Sequence, residues 1–168
     1  RRRHLLAACT MAAASSGAAL LGGCGFQLRQ APRLPFGRIA LAGFAAQSPM
    51  AAALRQQIEA SAQVVTAVQN PEVILQALDD RREKRSAGTT AAGQVRELQL
   101  RVVFEFRLTT AGGQELLPRS ALSLARDISY SESIALAKEQ EEAQLYAAME
   151  ADIVMQVLRR VAQAPRKP

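Results

Sequence analysis

The residue with the most specific chemistry in this 168-residue chain is Cys24, which closes the run Leu21-Gly22-Gly23-Cys24. Small residues ahead of a cysteine let a peptidase grip an extended backbone, and the thiol is a nucleophile able to take a diacylglycerol. The run has the form of a lipobox. It predicts a mature chain that starts at Cys24 and is held on a membrane by lipid on that residue. What precedes it agrees. Arg1, Arg2 and Arg3 form a basic start, and Leu5 to Leu21 carries no charge. A charged start followed by an apolar run is the layout of a secretory signal, assigned here to residues 1–23. A spanning helix is the alternative on length alone, but Thr10, Ser15, Ser16, the glycines and the many alanines make it a weak one.

The second cysteine, Cys9, falls inside the signal, so the mature chain is expected to carry neither a free thiol nor a disulfide. A Cys9–Cys24 disulfide is the other possibility, and it would tie a signal to a domain. Removing Arg1, Arg2 and Arg3 takes Lys+Arg from 21 to 18 against 15 Asp+Glu, leaving the mature chain near +3 rather than +6. The basic character is partly a property of the targeting segment and does not argue for nucleic acid. Five Phe and two Tyr are also too few to build stacking platforms for single strands. Gly25, rather than an aspartate, follows Cys24. In enteric bacteria an aspartate there tends to retain a lipoprotein in the inner membrane, so Gly25 leans toward the outer membrane.

Catalysis finds little to work with. The one histidine, His4, lies in the signal, which removes Ser-His-Asp and Cys-His systems and histidine metal sites from the mature protein. No cofactor or metal is expected. Glu139, Glu141 and Glu142 cluster on an early helical turn, where carboxylates usually form a solvated face. A hydrolase built on carboxylates has no supporting spacing. The basic residues are the better lead: Arg81, Arg82, Lys84 and Arg85 interleave with Asp79, Asp80 and Glu83, Arg96 opens the next segment, and Lys138 lies early in the last helix. By composition they are charges that protect strand ends from aggregation. The functional alternative is a patch for an anionic ligand, since Arg and Lys bind phosphate strongly when several converge.

The elements that must position these residues follow from periodicity. Residues 24–37 read as a lipidated tether, with Pro32 and Pro35 favouring extended chain. Arg38 to Phe44 reads as a strand. Ser48-Pro49 is a helix-start signal for a helix to about Ser61 with Met50, Leu54 and Ile58 on one face. A second strand starts near Val73 and reaches about Arg85; Val64, Val65 and Val68 could form a short extended piece before it. Gly88 to Gly93 reads as a turn. Leu98, Leu100, Val102, Phe104, Phe106 and Leu108 then alternate with Gln99, Arg101, Val103, Glu105 and Arg107, a long strand with one buried face. Ala111-Gly112-Gly113-Gln114 is a hairpin turn, and a strand follows from about Glu115 to Tyr130, weakened by Pro118. A helix from about Ile134 to Ala162 carries Leu145, Met149, Ile153 and Val157 every fourth residue, widened by Leu158 and Val161. Residues 163–168 are a tail. The predicted fold is α/β: a two-layer sandwich with one mixed, mostly antiparallel four-stranded sheet packed by two helices in the order βαβββα. The uncovered sheet face must meet water or a polar partner.

Several segments together resemble one family. Cys24-Gly25-Phe26-Gln27-Leu28-Arg29 is similar to the mature start of the LptE lipopolysaccharide-assembly lipoproteins. Ala92-Gly93-Gln94-Val95-Arg96-Glu97-Leu98-Gln99-Leu100 is similar to the lead-in of that family's long strand. Ala135-Leu136-Ala137-Lys138-Glu139-Gln140-Glu141-Glu142 resembles its helix start, Leu158-Arg159-Arg160-Val161 the helix end, and Arg126-Asp127-Ile128-Ser129-Tyr130 the strand before. The resemblance covers essentially the whole mature chain and assigns residues 38–162 to an LptE-like domain. It implies a non-enzymatic protein that plugs the β-barrel LptD, helps it fold, and binds lipopolysaccharide on its way to the outer leaflet. It also implies a lipid-anchored place on the periplasmic face of the outer membrane, and two basic contacts for lipopolysaccharide. One carries over to Lys138. The other falls on Ala91, a departure, for which Arg82, Arg85 or Arg96 would have to substitute. Reversing Lys138 to Asp, at a helix start taken to be exposed, is expected to cost little stability. The competing function is a periplasm-facing lipoprotein carrying a lipid or a small apolar ligand, which requires a cavity between sheet and helices.

Overall fold

Three kinds of connection build the sheet. A helix joins the first parallel pair, the short segment 66–72 crosses to the third parallel strand, and turns join the antiparallel ones. The structure, a computed structural model, describes residues 32–89, 91, 93–130 and 135–165. Cys24, the signal and the tether up to residue 31 lie outside the described residues. In chain order the elements are β1 (Arg38–Ala42), α1 (Pro49–Ile58), β2 (Gln63–Val65), β3 (Val73–Thr89), β4 (Val95–Thr110), β5 (Glu115–Ser129) and α2 (Ala135–Ala162). The sheet order is β2-β1-β3-β4-β5. β1 pairs in parallel with β2 and with β3, and β3, β4 and β5 form an antiparallel meander.

The α/β class, the two helices and the three long antiparallel strands are as expected. The strand count is not: the sheet has five strands, because Gln63–Val65 pairs with Arg38–Ala40. Three residues are too few to show an alternation, and only the neighbouring β1 makes them a strand. Their pairing also shortens α1. The helix ends at Ile58 rather than near Ser61, since the Ser61 and Ala62 amides turn back onto the Ile58 carbonyl and Gln63 N donates to Gly37 O at 2.8 Å. β3 runs on through Gly88 to Thr89, so the predicted turn begins later than its first glycine.

α1 starts as its cap predicts. Ser48 Oγ accepts from Ala51 N at 3.0 Å, Pro49 fills the first helical position, and Met50, Leu54 and Ile58 are fully buried. Ile39, Val73 and Leu75 meet them from the sheet. β4 supplies the centre of the core, with Leu100, Phe104, Phe106 and Leu108 fully buried, and Phe104 stacks between Phe44 and Phe106 at centroid distances of 5.9 and 5.7 Å. α2 closes the layer with Met149, Ile153, Val154, Val157, Leu158 and Val161. Burial of so many apolar side chains on one sheet face supplies the main driving force for this fold. No helix among the described residues is long and apolar enough to cross a membrane.

Candidate functional site

One inserted residue decides where the basic cluster points. The register of β3 against β4 pairs Ala77 with Phe106 and then Asp79 with Glu105, so Leu78 has no partner of its own. Leu78 is therefore the extra residue of a β-bulge, and it is 41% exposed. Before it, Val73, Leu75 and Ala77 face the helices. After it, the alternation is shifted by one, and Asp80, Arg82 and Lys84 take the helix side, opposite Phe104, Val102 and Leu100. Asp79, Arg81, Glu83 and Arg85 take the other side. The cluster that reads as one patch in sequence is thus divided between the two faces of the sheet.

On the helix side the charges form a polar seam between β3 and α2. Ser48 Oγ donates to Asp80 Oδ2 at 2.5 Å. Arg82 clamps Glu150 with two bonds, Nε to Oε1 at 2.7 Å and Nη2 to Oε2 at 2.9 Å, and its guanidinium lies 5.0 Å from the Tyr146 ring centroid. The Tyr146 hydroxyl donates to the Glu83 carbonyl at 2.8 Å. That contact falls on a strand with an open edge: β1 pairs with β3 only as far as Gln76, and from Ala77 onward the β-ladder partner of β3 is β4. Lys84 Nζ donates to Glu142 Oε2 at 2.6 Å. The hydrogen bond to Glu142 raises the Lys84 ammonium above the ordinary lysine range, and the bond to Glu150 does the same for Arg82. Burial raises Tyr146, helped by the nearby Glu142 carboxylate.

At the far end of this seam lies a cleft of about 80 Å³, lined by Lys84, Leu98, Ile128, Tyr130, Lys138, Glu139 and Glu142. Lys138 is only 14% exposed along its side chain; its Nζ donates to Glu141 Oε2 at 2.6 Å and to Ser129 Oγ at 3.1 Å. The expectation that reversal to Asp is cheap therefore needs correction, because an aspartate here would face Glu141 with no intervening cation. A wider cleft of about 270 Å³ sits beside Ser48, Asp80, Arg82 and Glu150, whose polar groups are already engaged with one another.

The predicted site residues thus separate. Lys138 lines the small cleft. Arg82 is committed to Glu150. Arg85 is on the opposite sheet face, paired with Glu83 at 2.9 Å. Arg96 is exposed near the start of β4, where its carbonyl accepts from Tyr130 N at 2.8 Å. Lys84, a member of the basic cluster but not of the four residues expected to contact lipopolysaccharide, joins Lys138 in the cleft. The signal that could have found it is its two-residue spacing from Arg82 on a strand, but only the bulge says which face that pair occupies. Among the described residues, no group of three or more His, Cys, Asp or Glu side chains could hold a metal ion.

The sheet face turned away from the helices is polar, and among the described residues its charges largely pair with one another. Arg81 bridges Asp79 at 2.5 Å and Glu83 at 3.0 Å, Arg119 binds Glu105, Arg107 donates to Gln76 at 2.9 Å, and Gln99 donates to Asp127 at 3.0 Å.

A family model described as LptE: Lipopolysaccharide-assembly matches residues 36–161. Among solved structures, an uncharacterized lipoprotein B from Nitrosomonas europaea is 34% identical, with 82% of this chain and 90% of that chain covered and a TM-score of 0.68. A minor lipoprotein from Acinetobacter baumannii is 19% identical, covering 80% of this chain and 99% of that one, with a TM-score of 0.65. A rare lipoprotein B from Shewanella oneidensis is 20% identical, covering 76% and 95%, with a TM-score of 0.63. These two share the fold. No curated protein matches this chain.

Proposed function

This chain belongs to the LptE lipopolysaccharide-assembly family, and from that premise we propose that it is a non-enzymatic outer-membrane lipoprotein that plugs the LptD barrel, assists its assembly and binds lipopolysaccharide. Cys24 is the proposed lipidation site, and the domain hangs from it at the periplasmic face. The observation that carries the plug reading is the polar sheet face turned away from the two helices. Its charges run in short-range pairs, from Arg81 with Asp79 and Glu83 across to Arg119 with Glu105. Such a face suits the polar, water-lined interior of a wide β-barrel, which offers little apolar surface for an apolar face to bury against.

For lipopolysaccharide, Lys138 is the proposed primary contact. Arg96 and Arg85 are exposed and available to its polar parts. Arg82 contributes by holding α2 in place through Glu150 rather than by direct contact. The carrier alternative gains nothing from the core, which is filled by Phe104, Phe106, Met149 and Ile153.

The test is affinity capture of the lipidated protein from outer membranes, with depletion in parallel. Co-purification of LptD, and loss of mature LptD and surface lipopolysaccharide on depletion, are the expected results. Unchanged barrel and unchanged surface lipopolysaccharide after depletion would remove the proposal.

A further inference from the structure

We infer that Lys84 is the second cation of an anion cleft shared with Lys138, and that Glu142 and Glu141 occupy the two ammonium groups until a phosphate on a lipid headgroup replaces them. This rests on the lipopolysaccharide-binding reading above and extends it to residues not yet assigned to it.

Three observations carry the inference. First, Lys84 on β3 and Lys138 on α2 line the same cleft although they are far apart in sequence. Second, each ammonium is held by a different carboxylate, Lys84 by Glu142 and Lys138 by Glu141, both at 2.6 Å. One phosphate carries more charge than one carboxylate and several acceptor oxygens, so it can take both ammonium groups at once. Third, the cleft has an apolar wall of Leu98, Ile128 and Tyr130. That combination fits a phosphorylated amphiphile better than a free phosphate. The volume of about 80 Å³ admits a headgroup phosphate or the start of one chain, not a whole lipid.

With Glu139 also on its wall, the cleft is not net cationic. The carboxylates keep the lysines paired, and they make binding depend on exchange of partners rather than on simple attraction.

The experiment measures binding of diphosphorylated lipid A, dephosphorylated lipid A and inorganic phosphate to the full-length protein and its variants. Lys84→Ala should weaken diphosphorylated lipid A about tenfold, a typical loss for one charge-assisted contact. Glu142→Gln should tighten it several-fold, a gain that a loosened fold cannot produce. Arg55→Ala, exposed on α1 and away from the cleft, should leave it unchanged. Inorganic phosphate should compete only weakly, since it has no chain for the apolar wall.

If Lys138→Ala weakens binding while Lys84→Ala and Glu142→Gln do not change it, the shared cleft is overturned and the lipopolysaccharide reading stands. Equal binding of dephosphorylated lipid A overturns the phosphate assignment. Competition by inorganic phosphate as strong as that by lipid A overturns the lipid assignment. If the wild-type protein binds no form of lipid A, the parent reading fails and this inference fails with it.

Discussion

Arg82 and Glu150 meet across the β3–α2 seam in a two-bond clamp, with the carboxylate nearly sealed from solvent and the guanidinium partly open to it. The asymmetry sets the outcome of mutation. Arg82→Ala leaves a buried carboxylate with no cation, at an expected cost of about 2 kcal/mol once the solvent around Arg82 is allowed for. Replacing the pair by Arg82→Met and Glu150→Leu should recover most of that loss, because no charge is then buried. Urea midpoints of the single and double variants decide this. A double variant no more stable than Arg82→Ala would show that the clamp itself, rather than the orphaned carboxylate, carries the stability.

Gly43 follows β1 with φ +79°, and a Cβ there would lie 2.3 Å from the Ala77 carbonyl oxygen. Both the backbone conformation and the space exclude a side chain, so Gly43→Ala should cost about 3 kcal/mol or more. Gly113 has φ +83° in the β4–β5 turn but open space around it. Gly113→Ala should cost only the conformational part, about 1–2 kcal/mol. Equal thermal midpoints for the two variants would contradict the close approach at Ala77.

The bulge at Leu78 predicts a contrast between two single-residue deletions. Leu78→Ala trims a partly exposed side chain and should change stability by less than about 1 kcal/mol. Deleting Leu78 removes only the extra residue: Ala77 stays opposite Phe106, Asp79 opposite Glu105, and Asp80, Arg82 and Lys84 keep the helix side, so the variant should still unfold cooperatively. Deleting Arg81, which has a partner in Val103, instead shifts every later side chain of β3 to the other face and takes Arg82 and Lys84 away from α2, so cooperativity should be lost. Equal destabilisation by the two deletions would refute the register.

Alkaline pH probes the seam from another side. The folded chain holds the Tyr146 proton more tightly through burial and the Lys84 proton more tightly through Glu142. A raised folded pKa favours folding fully below the unfolded value and loses that contribution as pH rises through the folded value. Stability should therefore decline above about pH 10. Tyr146→Phe should cost about 1 kcal/mol near neutrality for the lost bond to Glu83. Its decline above pH 10 should be shallower than that of the wild type. Parallel stability curves for the two proteins would exclude Tyr146 as a contributor.

Much of the fold is legible in the residues. The strict alternation from Leu98 to Leu108 is visible without a structure because one face of β4 is wholly apolar, and the four-residue recurrence of Met149, Ile153 and Val157 marks the buried stripe of α2 in the same way. Ser48-Pro49 announces a helix because its cap is local. β2 is not legible, since three residues gain strand character only from β1. The division of Arg81, Arg82, Lys84 and Arg85 is not legible either. One inserted residue reverses which of them face the helices, and nothing about Leu78 itself marks it as the insertion.

The sequence by itself determined the long secondary elements, the apolar faces, the family and the residue chemistry on offer: a cysteine after two glycines in a chain whose one histidine precedes it, and cations interleaved with carboxylates. These are properties of local spacing, and spacing is written along the chain. Only the tertiary structure decided which charges meet. Lys84 finds Glu142 and a cleft with Lys138, Arg82 finds Glu150, and Arg85 is turned away from all of them. The physical reason is that side-chain direction on a strand depends on register. Register is set by pairing with a distant partner and by a single bulge, which are properties of the assembled sheet rather than of any one segment.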